Sequence, residues 1–229
     1  MNDLDASPRP QSPIRILLVD DHVVFRAGLR ALLEKERDFV VVGEAGRGEE
    51  AVASAQALRP DVVLMDLAMP GEGGLEATRR IVALGIGARV LVLTALPQER
   101  QLLEALDAGA SGFVEKAGSV EDLARAIRGV RETRLFLSAE ASKLVTLQRY
   151  WRDAEAEDAK AAAQRLSGRE REVLALLAMG HTESEIGRRL GVSPNTVHAY
   201  RARLRMRLGL KGRPDLVRFA LRSGLLGVG

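Results

Sequence analysis

Five short apolar runs recur along residues 14–131, and each is followed by a stretch whose apolar residues fall at helical spacing. The runs are Ile14–Val19, Phe39–Val42, Val62–Met65, Val90–Leu93 and Gly112–Glu115. The helical stretches are Val23–Glu36, Gly48–Leu58, Leu75–Leu84, Pro97–Leu106 and Val120–Val130. Short runs of this kind are the pattern of strands buried on both faces. Strands that alternate with helices build a parallel sheet covered by helices on both sides. Such a sheet binds ligands outside the carboxyl ends of its strands. The polar residues at those ends are Asp20, Asp21, Asp66, Thr94 and Lys116, which come from four strands and are expected to converge. No Gly-rich loop follows the first run, which argues against a dinucleotide or P-loop site.

Three carboxylates brought together repel one another unless a cation sits among them. Oxygen ligands with open positions suit Mg2+, which keeps waters and binds phosphate oxygens. The Lys116 ammonium and the Thr94 hydroxyl complete a pocket for a phosphoryl group. One carboxylate can act as nucleophile and form an aspartyl phosphate. Asp66 is the best placed, because it follows the central strand, with Pro70, Gly71, Gly73 and Gly74 forming a tight loop beside it.

Composition narrows the setting. Apolar residues make up 46% of the 229, enough for a sizeable core, and no apolar run is long enough to span a membrane. Residues 1–13 lack a leader's apolar segment and read as a loose tail. There is no cysteine, so disulfides, thiolate metal sites and cysteine nucleophiles are excluded. The histidines, His22, His181 and His198, lack metal-ligand spacing. A cytoplasmic location is expected.

Charge divides the chain. Residues 164–229 hold 13 Lys and Arg against 5 Asp and Glu, a net +8, which leaves −5 for residues 1–163. A basic C-terminal part joined to an acidic module points to a polyanion partner. That C-terminal part carries helix caps in series. Ser167 with Glu170, and Thr182 with Glu185, form two capping boxes. Ser193-Pro194 supplies a third start, with proline at the first helical position. The third helix runs from Pro194 to Leu208, and Pro214–Ser223 reads as a fourth. The second and third helices, joined by Gly191-Val192-Ser193, form a helix-turn-helix. The third carries Arg201, Arg203, Arg205 and Arg207, and such a helix fits the major groove.

Two sets of motifs carry a family resemblance. Val19-Asp20-Asp21-His22, Met65-Asp66-Leu67-Ala68-Met69-Pro70-Gly71, Leu93-Thr94-Ala95 and Gly112-Phe113-Val114-Glu115-Lys116 resemble the motifs of response-regulator receiver domains. Leu166–Leu174, Glu185-Ile186-Gly187, Leu190–Ser193, Thr196-Val197 and Arg207–Leu210 resemble the LuxR-type helix-turn-helix. The whole resembles a two-component response regulator of the NarL/FixJ family. The resemblance implies a flavodoxin-like, five-stranded parallel α/β receiver followed by a small all-α domain of four helices. It implies that Asp66 takes a phosphoryl group from a sensor histidine kinase. Asp20, Asp21, Asp66 and the backbone carbonyl of Ala68 would hold Mg2+. Thr94 and Lys116 would bind the phosphate oxygens, and Phe113 occupies the switch-aromatic position. Thr196, His198, Ala199, Arg201, Ala202, Arg203 and Arg205 are the expected DNA contacts. His198, Ala199, Arg201 and Ala202 would lie nearest the bases, and Arg203 and Arg205 nearest the phosphates. This sequence departs from the family where readout would occur: His198 and Tyr200 stand at positions commonly Lys and His, and Glu183-Ser184 replaces a common Asn-Lys pair. Partners implied are the kinase, promoter DNA, a second copy when active, and RNA polymerase.

The expected division is a tail at residues 1–13, a receiver at 14–131, a helical linker at 132–163 and a DNA-binding domain at 164–229. Leu144, Leu147 and Trp151 would form an apolar stripe on the linker. Two other functions compete. A phosphatase with an aspartyl nucleophile commonly needs a general acid two residues on, where Ala68 stands. That absence favours storing the phosphoryl group, with no enzymatic activity beyond its uptake and loss. The other competitor is DNA binding indifferent to phosphorylation.

Overall fold

The structure is a computed structural model that describes residues 12–71, 73–95, 98–133, 135–138, 141 and 153–226. Nearly all of the expected tail and the linker stripe Leu144, Leu147 and Trp151 lie outside the described residues. The sheet is built from β1 (Ile14–Val19), β2 (Phe39–Ala45), β3 (Val62–Asp66), β4 (Arg89–Thr94), β5 (Gly112–Glu115) and β6 (Phe136–Leu137). Their order is β2-β1-β3-β4-β5-β6, and every pairing is parallel. The sequence predicts five strands, and β6 is the sixth. It is only two residues long, too short to show a period, and pairs with Gly112 and Phe113 of β5, while the Phe136 N–H donates to the carbonyl of Ser111, just before that strand, at 2.8 Å.

Side chains alternate along each strand, so each strand feeds two cores. Ile16 and Leu18 of β1 pack with Leu29, Leu33 and Ile127, the inner faces of α1 (Val23–Leu33) and α5 (Val120–Thr133). Leu17 and Val19 pack on the other face with Val52, Ala55, Ala77 and Ile81, from α2 (Gly48–Leu58) and α3 (Gly73–Ala83). α4 (Glu99–Asp107) covers the far half of that second face through Leu102, Ala105 and Leu106. The helix starts at Glu99, two residues beyond the expected Pro97.

After α6 (Asp153–Gln164) come four helices: α7 (Gly168–Ala178), α8 (Glu183–Leu190), α9 (Pro194–Leu208) and α10 (Arg213–Arg222). Both capping boxes form: the Ser167 hydroxyl accepts from the Glu170 N–H at 3.2 Å, and Thr182 accepts from the Glu185 N–H at the same distance. α8 ends on Gly191, whose φ of 67° is left-handed, a conformation glycine adopts without a Cβ clash. The chain therefore turns at once into Ser193, which caps α9 by accepting from the Thr196 N–H at 3.1 Å.

Candidate functional site

Three strand ends bring the charged residues together. β1 ends before Asp20, β3 ends on Asp66, and β5 leads into Lys116. Asp20 and Asp66 are each only 2% exposed, so their charges are largely stripped of water. The Lys116 ammonium lies 2.7 Å from Asp20 Oδ2 and 2.7 Å from Asp66 Oδ2. Burial alone would lower the Lys116 pKa, but the contacts and charges of Asp20 and Asp66 outweigh it and hold it above the ordinary lysine value. Asp66 Oδ1 accepts from the Ala68 N–H at 3.1 Å, which fixes the carboxylate plane. Thr94 ends β4 beside them, 9% exposed, and its carbonyl accepts from the Lys116 N–H at 2.7 Å. Gly74 seals the floor: a Cβ there would lie 1.9 Å from the Asp66 carbonyl oxygen, so only glycine lets α3 start this close.

The pocket is suited to a divalent cation. One ligand atom from each of Asp20, Asp21, His22 and Asp66 lies within 4.8 Å of the others. Asp20 Oδ2 and Asp21 Oδ1 are buried oxygens without a hydrogen-bond donor of good geometry. The nearest nitrogens are Lys116 Nζ, 2.7 Å from Asp20 Oδ2, and His22 Nδ1, 2.9 Å from Asp21 Oδ1. Buried acceptors with lone pairs to spare are what a hard cation takes. His22 belongs to this cluster but is not among the ligands expected from the sequence; its position directly after the acidic pair is the signal for it.

Phe113 is 1% exposed and lies in one apolar cluster with Val92, Leu102 and Leu106. That cluster continues into Val173 and Leu177 of α7 and Leu216 and Val217 of α10. Arg213, the first residue of α10, crosses the same seam. Its guanidinium donates from Nη1 to the carbonyls of Leu106 at 3.0 Å and Ala110 at 2.7 Å, and from Nε to that of Ala178 at 3.3 Å. Leu106 and Ala178 lie in the last turns of α4 and α7, where carbonyls lack partners within the helix. One cation thus caps two helices from opposite sides of the seam. Burial, helped by the charge of Arg89 and opposed by Asp107, pushes the Arg213 pKa down to about 10, so it stays a cation at neutral pH. No local pattern in the sequence points to this role, because the acceptors in the receiver are more than a hundred residues away.

The α9 surface is open. Val197 and Leu204 anchor it, while Asn195, Thr196, His198, Ala199, Ala202 and Arg203 are exposed. Its arginines are not equivalent. Arg203 lies over the Tyr200 ring at 4.7 Å. Arg205 donates to the carbonyls of Leu210, at 3.3 Å, and Lys211. Arg207 donates to the Arg165 carbonyl at 2.8 Å and lies 3.5 Å from Glu170. Arg201 Nη1 donates to Glu183 Oε1 at 3.2 Å, and His198 Nδ1 lies 3.2 Å from the same oxygen. The structure thus brings Thr196, His198, Ala199, Ala202 and Arg203 onto an exposed face, while the Arg205 head is turned back to the helix terminus.

An acidic, cation-ready pocket on a doubly wound sheet, joined to a capped basic helix-turn-helix, defines a signal-controlled DNA-binding regulator. Comparison with known proteins agrees. Residues 16–128 match the family described as response regulator receiver domain, and residues 164–220 match bacterial regulatory proteins of the luxR family. The response regulator UvrY of Escherichia coli (strain CFT073) is 36% identical over 93% of this chain and 95% of its own length. Among solved structures, the response regulator ChrA of a heme-sensing two-component system is 32% identical, covering 94% of this chain and 100% of ChrA, with a TM-score of 0.51. A structure of two RcsB dimers bound to two parallel DNAs is 26% identical over 91% of this chain and 98% of that one, with a TM-score of 0.54. The chain belongs to the response regulators, in the NarL/FixJ branch that couples a receiver to a LuxR-type DNA-binding domain. No helix among the described residues is long and apolar enough to cross a membrane.

Proposed function

We propose that Asp66 is the phosphoryl acceptor and that its modification sets how the basic domain engages promoter DNA. The observation that carries this reading is the Lys116 ammonium held 2.7 Å from both Asp20 and Asp66, at the open end of the sheet. An Asp66 carboxylate oxygen forms a bond to phosphorus while the P–N bond of the kinase's phosphohistidine breaks, its electron pair leaving with the imidazole. Asp20, Asp21, Asp66 and the Ala68 carbonyl would hold Mg2+, which when bound neutralises charge on the transferring group. Lys116 stays ionised and orients the phosphoryl oxygens, and the Thr94 hydroxyl donates to one of them. The family matches support a division into a receiver at 14–131 and a reading domain at 164–229.

Rearrangement around Thr94 reaches Phe113, and Phe113 shares its cluster with the seam beneath α4 and α10. The exposed α9 face is not covered by that seam. Docking therefore restrains orientation and pairing and leaves the reading face open. Two copies on DNA would place half-sites about 10 bp apart, or a multiple of that. The DNA-bound dimers of RcsB support pairing. A paired, bound regulator is then available to RNA polymerase, and all of this is cytoplasmic chemistry. The open face also favours a second reading, in which DNA binding ignores phosphorylation.

Asp66→Asn tests the acceptor. Intact-mass measurement after incubation with a small phosphodonor and Mg2+ should show one added phosphoryl group on the native chain and none on the variant. Uptake on the variant at the native rate contradicts the assignment.

A further inference from the structure

We infer that Glu183 is a specificity-determining positioning residue: it anchors Arg201 so that one base pair of the DNA site is read as guanine. The inference rests on α9 being the reading helix. Glu183 opens α8, where a carboxylate is favoured by the helix dipole. Its side chain is 26% exposed and faces α9, with Arg201 Nη1 and His198 Nδ1 both 3.2 Å from Oε1. A carboxylate on a surface that meets a polyanion weakens phosphate attraction, so its presence calls for a compensating task.

The geometry supplies one. A guanidinium carries five N–H donors in a rigid fork. Glu183 Oε1 accepts from Nη1 on one side of the Arg201 fork, and that side chain has no other partner among the described residues. The remaining edge is held in place for an acceptor pair, and guanine O6 and N7 are the pair that arginine reads bidentately in the major groove. The other arginines of α9 are differently engaged: Arg203 on a ring, Arg205 and Arg207 on main-chain carbonyls. Glu183 also pairs with the imidazole that flanks Arg201 one helical turn earlier, so His198 and Arg201 are set as a unit. The same carboxylate penalises phosphate contact by Arg201, which sharpens discrimination by opposing non-specific binding.

The test uses the full chain, treated with phosphodonor and Mg2+, and a library of random DNA duplexes. Binding sites are selected in parallel with the native protein, Glu183→Gln and Arg201→Lys. The native pool should show a guanine preference of about tenfold at one position of each half-site, set by a bidentate contact. Both variants should relax that position and leave the others unchanged. Glu183→Gln should also bind non-specific DNA more tightly, its salt slope steeper by about 0.9 as Arg201 gains a phosphate. A Glu183→Gln pool with every native preference intact overturns the inference. So does a uniform loss across all positions with a lowered melting temperature, which would make Glu183 a structural residue. Arg201→Lys keeps charge and fold, and an unaltered pool from it overturns the role of the fork. A native pool without any motif removes α9 as reader, and is distinguished because all three proteins then behave alike.

Discussion

The phosphoryl pocket and the reading surface both depend on charge, and they hold it in opposite ways. In the pocket, Asp20 and Asp66 are 2% exposed and come from different strands, so the whole sheet fixes their separation. On α9, the charged and polar groups are solvent-facing and come from one helix, aimed by a cap at Ser193 and a turn at Gly191. Covalent chemistry needs charges out of water, where electrostatic contacts are strong. DNA recognition needs them in water and reachable by a large partner. Damage to the sheet ends should therefore abolish a reaction, whereas damage to the reading surface should only grade an affinity.

Gly74→Ala should produce the largest break. Its Cβ would lie 1.9 Å from the Asp66 carbonyl oxygen and 2.8 Å from the Leu67 Cα, so main chain must move. Overpacking of this kind costs about 1–3 kcal/mol, and more where backbone yields. Phosphoryl uptake should fall at least about tenfold, the rate equivalent of about 1.4 kcal/mol, while non-specific DNA binding is unchanged. Native uptake rates in this variant would show that the floor is not what fixes Asp66.

Arg213→Ala tests whether the two regions are coupled through the seam. It leaves the carbonyls of Leu106, Ala110 and Ala178 without their cationic donor, a loss of about 1–3 kcal/mol. Small-angle scattering should show a larger radius of gyration in the unphosphorylated variant. An unchanged radius would mean that apolar packing alone holds the seam.

Arg128 and Asp38 give the smallest effect, away from both regions. The Arg128 hydrogen bonds hold the Asp38 pKa below its ordinary value, against the opposing effect of burial. A carboxyl lowered on folding stabilises above its unfolded pKa, and that stabilisation is lost as pH falls through the folded value. Asp38 is 46% exposed, so screening limits the contribution to about 0.5 kcal/mol. Asp38→Asn should lower the urea midpoint slightly at pH 7 and leave it unchanged in acid, below both pKa values. A difference that persists in acid would assign the effect to packing.

The two regions also differ in how far the sequence reveals them. Asp20, Asp66 and Lys116 are legible because each ends or follows an apolar run, and strand direction then brings them to one edge. Ser167, Thr182 and Ser193 are legible because capping is local, within three residues. Arg213 is not, since its receiver acceptors lie 103 and 107 residues away. The family resemblance implies a phosphate contact for Arg205, yet its donors turn back to the carbonyls of Leu210 and Lys211. The pairing of Glu183 with Arg201 spans 18 residues and two helices, a separation that no periodicity reports.

The most direct measurement is the DNA affinity of the full chain, with and without phosphodonor and Mg2+, for both the native protein and Asp66→Asn. The native protein should bind at least tenfold more tightly when treated, about 1.4 kcal/mol, and the variant should not respond. Equal affinities for the native protein in both conditions, or the same tightening in Asp66→Asn, would contradict it.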